Sequence, residues 1–162
     1  AVEAALGGSL QHIVTEDEQA AKSAIYHLKR EHAGRATFLP MTSIRGNRLD
    51  TVQITSSEGF CALACDVVSY QPEYEDIVLS LLGKIVIVSD LDCAILMAKQ
   101  QKHRFKIVTL DGQILHAGGS MSGGSKNKTQ GFLSRKAEIA LLEKQVLECT
   151  KQQQYQQKQL CQ

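Results

Sequence analysis

The chain has 162 residues, of which 43% are hydrophobic and 22% are charged, and its formal net charge is +1. This composition is typical of a soluble globular domain with room for an appendage, and the small net charge confines any nucleic-acid binding to a local basic patch. No apolar run reaches the roughly 18 residues of a membrane span. Five cysteines, an odd number, favour free thiols in a reducing compartment. No complete metal-ligand pattern and no catalytic constellation is present, so neither kind of site is predicted.

The first predicted unit is strand–helix–strand. Residues 12–15 form a short strand, and the helix that follows begins at the acidic residues 16–18, where negative charge is favoured. Apolar residues recur along it at helical spacing. Gly34 is the predicted stop of this helix, and residues 35–39 form a second strand that is ended by Pro40.

The same order recurs later in the chain. Residues 84–89 form an apolar strand, and Asp90 caps the helix that follows. Residues 104–110 form the next strand. Asp111-Gly112 is a strong hairpin turn into residues 113–116, QILH, which we predict to be an edge strand.

These two units resemble each other in sequence. An alignment that places residues 13–16 on residues 87–90 also places Ala20 on Ala94. The match indicates two related strand–helix–strand halves, although two ordinary units could also match by chance. We therefore predict a mixed α/β fold with pseudo-repeated subdomains at about residues 1–58 and 59–125.

The end of the chain, residues 132–162, has a different character, without glycine or proline. Its apolar residues follow heptad spacing, with Gln153 and Gln156 at intervening positions of the same seam. The spaced apolar residues are Ile139, Leu142, Val146, Cys149 and Leu160. A long surface helix is the alternative. The favoured prediction is the start of a coiled-coil arm in a protein that continues, with a globular domain at residues 1–131.

A glycine-rich stretch, residues 118–124 (GGSMSGG), is called the glycine segment below. A phosphate-binding loop is one possible role, since Gly119 and Gly124 have the spacing of such a loop. However, Ser125 occupies the position of the required lysine, and Lys126 comes one residue late. The other possibilities are a flexible linker and a place where a neighbouring backbone approaches closely. Composition does not distinguish these two.

Four stretches of this sequence resemble, in order, the hinge domain of structural maintenance of chromosomes (SMC) proteins, and the bacterial ones most closely. They cover most of residues 4–125. The stretches are ALGGSLQHIVTEDEQAAKSAI, GRATFLP, VVSYQPEYEDIVLSLLGKIVIVSDLDCA and RFKIVTLDGQILHAGGSMSGGS. The departing heptads also fit, because in this family the hinge caps a long antiparallel coiled coil.

The resemblance implies a non-enzymatic homodimerisation domain made of two pseudo-repeated halves. Strands of one half pair with strands of the opposite half of the partner, and the glycine segment lies at that interface. The interface residues carried over are Gly118, Gly119, Ser120, Gly123 and Gly124. The whole protein would be a cytoplasmic, nucleoid-associated ATPase of chromosome condensation and segregation. Its absent heads would bind ATP and Mg, and kleisin-type subunits would be its partners.

The resemblance also implies weak, sequence-independent DNA binding near the junction of hinge and coil. Lys126 and Lys128 match the basic patch of bacterial relatives, and Arg135 and Lys136 extend it by proximity in sequence. Such contacts would neutralise phosphates and weaken with salt. The main alternative is a small α/β enzyme or phosphate-ligand binder that uses the glycine segment. A single-stranded nucleic-acid module is disfavoured, because no aromatic residues are interleaved with the late lysines.

Overall fold

A computed structural model of the chain describes residues 1–52, 54–124, 139, 142, 143, 145 and 146. The chain forms two compact units, Ala1–Ser125 and Lys126–Gln162. Within the described ranges, no helix is both long enough and apolar enough to cross a membrane.

The first half of the larger unit contains a two-stranded parallel sheet. The chain begins with α1 (Val2–Leu6) and a short 3-10 helix (Gly7–Gln11). Strand β1 (Ile13–Thr15), helix α2 (Glu18–Arg30) and strand β2 (Phe38–Pro40) follow. Ile13 lies opposite Phe38, so the predicted strand–helix–strand unit is present.

The second half contains a five-stranded sheet of order β3-β4-β5-β6-β7, with only β4 and β5 parallel. Its strands are β3 (Phe60–Leu63), β4 (Ile85–Val88), β5 (Lys106–Thr109), β6 (Ile114–Leu115) and β7 (Met121–Ser122). Its helices are a 3-10 turn (Pro72–Tyr74), α3 (Glu75–Leu82) and α4 (Leu91–Gln100). The predicted hairpin after β5 is confirmed.

The core lies around β4, all of whose residues are buried. The Lys106 ammonium donates a hydrogen bond to the carbonyl of Ala5 in α1 (3.2 Å), which puts Lys106 on the α1 face of the sheet. Because side chains alternate along a strand, Ile107 points to the opposite face, which α4 covers. Ala94 and Ala98 of α4 are buried, and α4 contacts β4, β5 and β6, whereas α1 contacts α3.

The two halves repeat the same helix start. Asp17 (φ −146°, ψ 179°) and Asp90 (φ −147°, ψ 177°) each cap a helix by accepting from the N–H three residues ahead. Asp17 is therefore equivalent to Asp90, and buried Ala21 to buried Ala94. The repeat is confirmed, but the predicted alignment, which placed Ala20 on Ala94, was wrong by one position.

The sheet hydrogen bonds agree with this corrected alignment. Met41 N–H donates to the Thr15 carbonyl (2.9 Å) at the end of β1, and Leu110 N–H donates to the Val88 carbonyl (3.1 Å) at the end of β4. Thr15 and Val88 are therefore equivalent. The alignment predicted from the sequence was displaced by one residue, because a run of apolar residues fits a strand in either register.

Helix α2 ends before the predicted stop at Gly34. His32 takes the left-handed conformation (φ 50°), and Ala33 N–H donates to the Leu28 carbonyl (3.0 Å), which closes the helix. Gly34 also has positive φ (86°), but it lies beyond the end of the helix. A histidine in the sequence does not indicate the end of a helix as a glycine does, so this end was not predicted.

Strand β2 starts later than predicted and includes Pro40 rather than stopping before it. Ile13 N–H donates to the Thr37 carbonyl and Met41 N–H donates to the Thr15 carbonyl, both at 2.9 Å. Alternate residues of a parallel strand bond to the same neighbour, so Pro40 faces away from β1. Its missing N–H therefore removes no bond of the sheet.

In the smaller unit, Ile139, Leu142 and Val146 are helical and exposed (57%, 50% and 66%). Their spacing of three and four residues puts them on one side of the helix, as the heptad pattern predicts. The other seam positions of that prediction, Cys149, Gln153, Gln156 and Leu160, lie outside the described residues.

Candidate interface

The glycine segment contains β7, which is one of the two edge strands of the larger sheet, the other being β3. Residues 113–116 were predicted to be that edge, but β6 lies between β5 and β7 and is an inner strand. The prediction was wrong because a strand of two residues between glycines has neither β propensity nor alternation to reveal it. The sheet edge on this side is therefore inside the glycine segment itself.

The backbone of Met121 points away from the sheet. His116 N–H donates to the Ser120 carbonyl (2.8 Å), and bonded and non-bonded pairs alternate in antiparallel strands. Ile114 opposite Ser122 is therefore the next bonded position, and Met121 lies between the two. The N–H and C=O of Met121 face outwards, where they are available to another strand.

Two histidines hold the glycine segment against the domain. Gly118 N–H donates to the carbonyl of His103, just after α4, and Gly119 N–H donates to the carbonyl of His116 (both 3.0 Å). His116 Nε2 is also hydrogen-bonded to Ser122 Oγ (3.0 Å). Sequence analysis missed both residues, because scattered histidines carry no motif.

The glycines of the segment differ in whether their backbone conformation requires glycine. Gly118, Gly119 and Gly124 have positive φ (87°, 100° and 135°), which disfavours any other residue. Gly123 has no such φ, and a Cβ there would come no closer than 3.4 Å to Gln113. Among the residues that the structure describes, no neighbour comes closer than 3.4 Å to a Cβ position of these glycines.

Met121 is an exposed apolar side chain at this edge. It lies opposite Leu115, which lies opposite Ile107. Residues opposite one another share a face of the sheet, so Met121 is on the α4 face. Leu115 is 3% exposed and Met121 is 53% exposed, so the apolar surface under α4 continues to the edge.

A second exposed edge lies on β2. The backbone groups of Phe38 and Pro40 face away from β1, and no other strand within the described residues pairs with them. The Pro40 carbonyl already accepts from Ser43 and Ile44 N–H (3.2 and 3.0 Å). Phe38 alone therefore offers both a donor and an acceptor at this edge.

Two exposed cationic side chains lie next to His103, the residue that binds the first glycine of the glycine segment. Lys102 and Arg104 stand on either side of His103, whose carbonyl holds Gly118. The four residues predicted to contact DNA, Lys126, Lys128, Arg135 and Lys136, lie outside the described residues.

The acidic residue Asp90 caps the start of α4. Asp90 accepts from Cys93 N–H (2.9 Å) and from Ser89 Oγ (2.6 Å). These bonds, the backbone one first, lower the pKa of Asp90. Such a carboxylate is a poor general base, which disfavours an active site here. Among the described residues, no group of three His, Cys, Asp or Glu side chains could hold a metal ion.

Comparison with known proteins identifies the family. The family model "SMC proteins Flexible Hinge Domain" matches residues 1–98. The chain is 41% identical over 152 residues to the chromosome partition protein Smc of Bacillus subtilis (strain 168). It is 39% identical over 155 residues to Smc of Desulfitobacterium hafniense (strain Y51). These alignments cover 91% and 94% of this chain but only 13% of each relative.

Solved structures agree with that family. An asymmetric dimer of the Geobacillus stearothermophilus SMC hinge domain is similar with a TM-score of 0.79 and 37% identity, covering 94% of this chain and 62% of that one. The Pyrococcus furiosus Smc hinge with an extended coiled coil has a TM-score of 0.65 and 33% identity, covering 93% and 53%. The predicted resemblance and fold are confirmed, and the chain belongs to the hinge-domain family of SMC proteins, of the bacterial type.

Proposed function

We propose that this hinge joins two copies of its parent protein by adding the glycine-segment edge of one copy to a sheet of the other. The observation that supports this most strongly is strand β7, whose Met121 presents an outward N–H and C=O that pair with no other strand in the described part of the chain, beside an exposed apolar side chain. Exposed strand edges of this kind recruit a further strand.

The two-fold repeat suits a closed dimer. Each copy has the exposed edge of β7 in its second half and the exposed edge of β2 in its first half. Two copies related by a two-fold axis would form the same junction twice and leave neither edge open. Gly118, Gly119, Ser120, Gly123 and Gly124 would line these junctions.

The test is sedimentation equilibrium of the full chain, a chain that ends at Gly124, and both with Gly123→Glu. The backbone of Gly123 is unstrained and has room for a Cβ in the single chain, so this substitution reports on another molecule's approach. Gly8→Glu is the matched control, since nothing lies within 4 Å of its Cβ position.

We expect a dimer that survives Gly8→Glu and the loss of residues 125–162 but dissociates with Gly123→Glu. A monomer at every concentration would refute the proposal, and so would a dimer that is lost only with the C-terminal residues. In either case, stabilisation by phosphate compounds would point instead to the phosphate-binding alternative.

We further propose weak DNA binding next to this interface. Lys102 and Arg104 are exposed beside the base of the glycine segment, and Lys126 and Lys128 follow that segment in sequence. Binding would neutralise phosphates without reading bases, so it would fall as salt rises. Glutamate at Lys126 and Lys128 should lower the affinity for DNA of any sequence in fluorescence anisotropy. Unchanged affinity would exclude those two lysines.

The proposed role of the whole protein is broader than that of the hinge. The curated relatives named above are chromosome partition proteins, and this chain covers 13% of their length. We propose a cytoplasmic, nucleoid-associated parent with ATPase heads that use ATP and Mg and bind kleisin-type subunits. Purification of the parent protein with its partners, followed by an ATPase assay, would test this.

A further inference from the structure

A cavity of about 380 Å³ lies where the parallel strands β4 and β5 begin. Lys84, directly before β4, and Phe105, directly before β5, both line it. Gln101, the residue that ends α4, lines it as well. Because Lys106 is on the α1 face and side chains alternate along a strand, Phe105 is on the α4 face. The cavity therefore lies on the α4 face of the sheet, at the C-terminal end of that helix.

The connection between β2 and β3 forms the other wall of the cavity. Leu49, Asp50 and Ile54 belong to this connection and line the cavity. Leu49 N–H donates to the Gly83 carbonyl (2.8 Å), which holds the connection against the start of β4. Ile54 N–H donates to the Thr51 carbonyl (2.9 Å), which closes a turn within it. Hydrogen bonds of the single chain therefore hold this wall in place, as in most ligand cavities, which are largely formed before the ligand binds.

The inner part of the cavity is apolar. Ile54 is 2% exposed and Phe105 is 8% exposed, and both belong to the buried hydrophobic cluster of the domain. Leu49 is partly buried and packs against the same cluster. An apolar group that enters this part of the cavity would leave water for an apolar environment, which is favourable.

Two cationic side chains line the outer part of the cavity. Lys84 and Arg104 are exposed. The ion pairs among the described residues are formed by Arg30, Arg45 and Arg48, and neither Lys84 nor Arg104 takes part in one. Both cations therefore keep their donors for a ligand. A guanidinium group offers a carboxylate two parallel hydrogen bonds, which adds specificity to the charge attraction.

The charge of the lining selects among anions. Asp50 is the one acidic residue that lines the cavity in the described part of the chain. Its Oδ1 already accepts the N–H of Val52 (3.1 Å). Two positive charges and this negative one are balanced by a ligand with a single negative charge. A dianion such as a phosphate monoester would place a surplus negative charge beside Asp50, where like charges repel.

We propose that this cavity binds a small organic monocarboxylate. Its carboxylate pairs with Arg104 and Lys84, and its apolar body contacts Ile54 and Phe105. The cavity is formed within one chain, so this inference does not depend on the proposed homodimer. The ligand would contact both the connection from the first half and the strands of the second half, and it would therefore stabilise the folded domain as its concentration rises.

Three small probes test the chemical class of the ligand. Benzoate has an apolar ring and one carboxylate, benzamide has nearly the same shape without the charge, and phenyl phosphate is mainly dianionic above about pH 7. Each is titrated into the full ¹⁵N-labelled chain. NMR shifts of the backbone amides of Leu49, Ile54 and Phe105 locate the site and give the dissociation constant.

Four variants test the residues. Arg104→Gln and Lys84→Gln each remove one cation from the cavity. Lys102→Gln is the matched control, because Lys102 is exposed two residues before Arg104 but does not line the cavity. Asp50→Asn removes the negative charge and keeps an oxygen that can accept the Val52 N–H. All four altered side chains are exposed, so amide shifts away from the cavity should remain those of the wild type.

We expect benzoate to bind with a millimolar dissociation constant, as befits so small a ligand, and benzamide to bind about tenfold more weakly. Arg104→Gln and Lys84→Gln should each raise the constant for benzoate about fivefold or more, because each removes a charge-assisted hydrogen bond. Lys102→Gln should change it less than about twofold. Asp50→Asn should lower it, because a repulsive charge is lost.

Several results would overturn the proposal. Unchanged amide shifts at Leu49, Ile54 and Phe105 in tens of millimolar benzoate would show that the cavity does not take it. Benzamide that binds as tightly as benzoate would remove the role of the cations. An effect of Lys102→Gln equal to that of Arg104→Gln would indicate general attraction to surface charge. Tighter binding of phenyl phosphate than of benzoate would refute the assignment to a monocarboxylate.

Discussion

Truncation of Met121 to alanine should weaken the proposed homodimer by an amount that follows from the exposure of its side chain. Met121 is 53% exposed in the single chain, and full burial of a methionine side chain contributes about 1.5–3 kcal/mol. Covering the remaining half therefore contributes about 0.8–1.5 kcal/mol, and a two-fold dimer contains the contact twice. The resulting total of about 1.5–3 kcal/mol corresponds to a rise of about 10- to 100-fold in the dimer dissociation constant, at about 1.4 kcal/mol for each factor of ten.

Sedimentation equilibrium over a range of concentrations measures this constant for wild type, Met121→Ala and Leu96→Ala. Leu96 has the same exposed fraction, 53%, but belongs to helix α4 and to neither strand edge, so its truncation should change the constant less than about twofold. The thermal midpoint of each variant should stay near that of wild type, because exposed side chains contribute little to folding. A rise of less than about threefold for Met121→Ala, with an intact wild-type dimer, would refute the argument.

The other predictions concern the stability of the fold. Gly59→Ala should lower the urea midpoint by the equivalent of about 1–3 kcal/mol, because φ is +76° and the new Cβ would lie 2.5 Å from Cys93 Sγ; an unchanged midpoint would contradict this. Asp17→Ala should cost about 1 kcal/mol by removing the α2 cap, measured in the same way; an unaltered unfolding curve would count against the cap. Hydrogen bonds, that from Ser43 first, lower the pKa of Glu18, so its contribution exists above the pKa of the unfolded chain and disappears as pH falls through the folded pKa. Glu18→Gln should therefore destabilise the chain at neutral pH and have little effect in acid, as thermal unfolding across pH would show; a difference that persists in acid would contradict this.

The local signals in the sequence predicted local structure well. Asp90 was expected to cap α4, and its carboxylate accepts the N–H of Cys93 (2.9 Å). The Asp111-Gly112 turn was expected to connect two antiparallel strands, and β5 and β6 are so paired. Caps and tight turns depend on residues within a few positions of each other, so a short stretch of sequence specifies them. The family was also recognisable, because several motifs occur in a fixed order.

The sequence was less informative about residues that act across the fold. His32 ends α2 in a left-handed conformation that glycine was expected to supply. His103 and His116 hold the glycine segment through backbone carbonyls, and a carbonyl is the same in every residue type. No pattern of side chains could therefore have identified them. The DNA contacts at Lys126, Lys128, Arg135 and Lys136 and the limits of the two domains remain predictions.

The amino-acid sequence by itself determined the repeated strand–helix–strand units, their caps and the family, because each follows from periodicity or from nearby residues. Only the tertiary structure decided the alignment of the repeats, the position of β7 at the edge and the open edge beside Phe38. The physical reason is that the pairing of a strand depends on distant backbone hydrogen bonds. Burial also depends on distant parts of the chain, since Ala98 on α4, which contacts β6, is buried, whereas its counterpart Ile25 on α2 is exposed beside a sheet of only two strands.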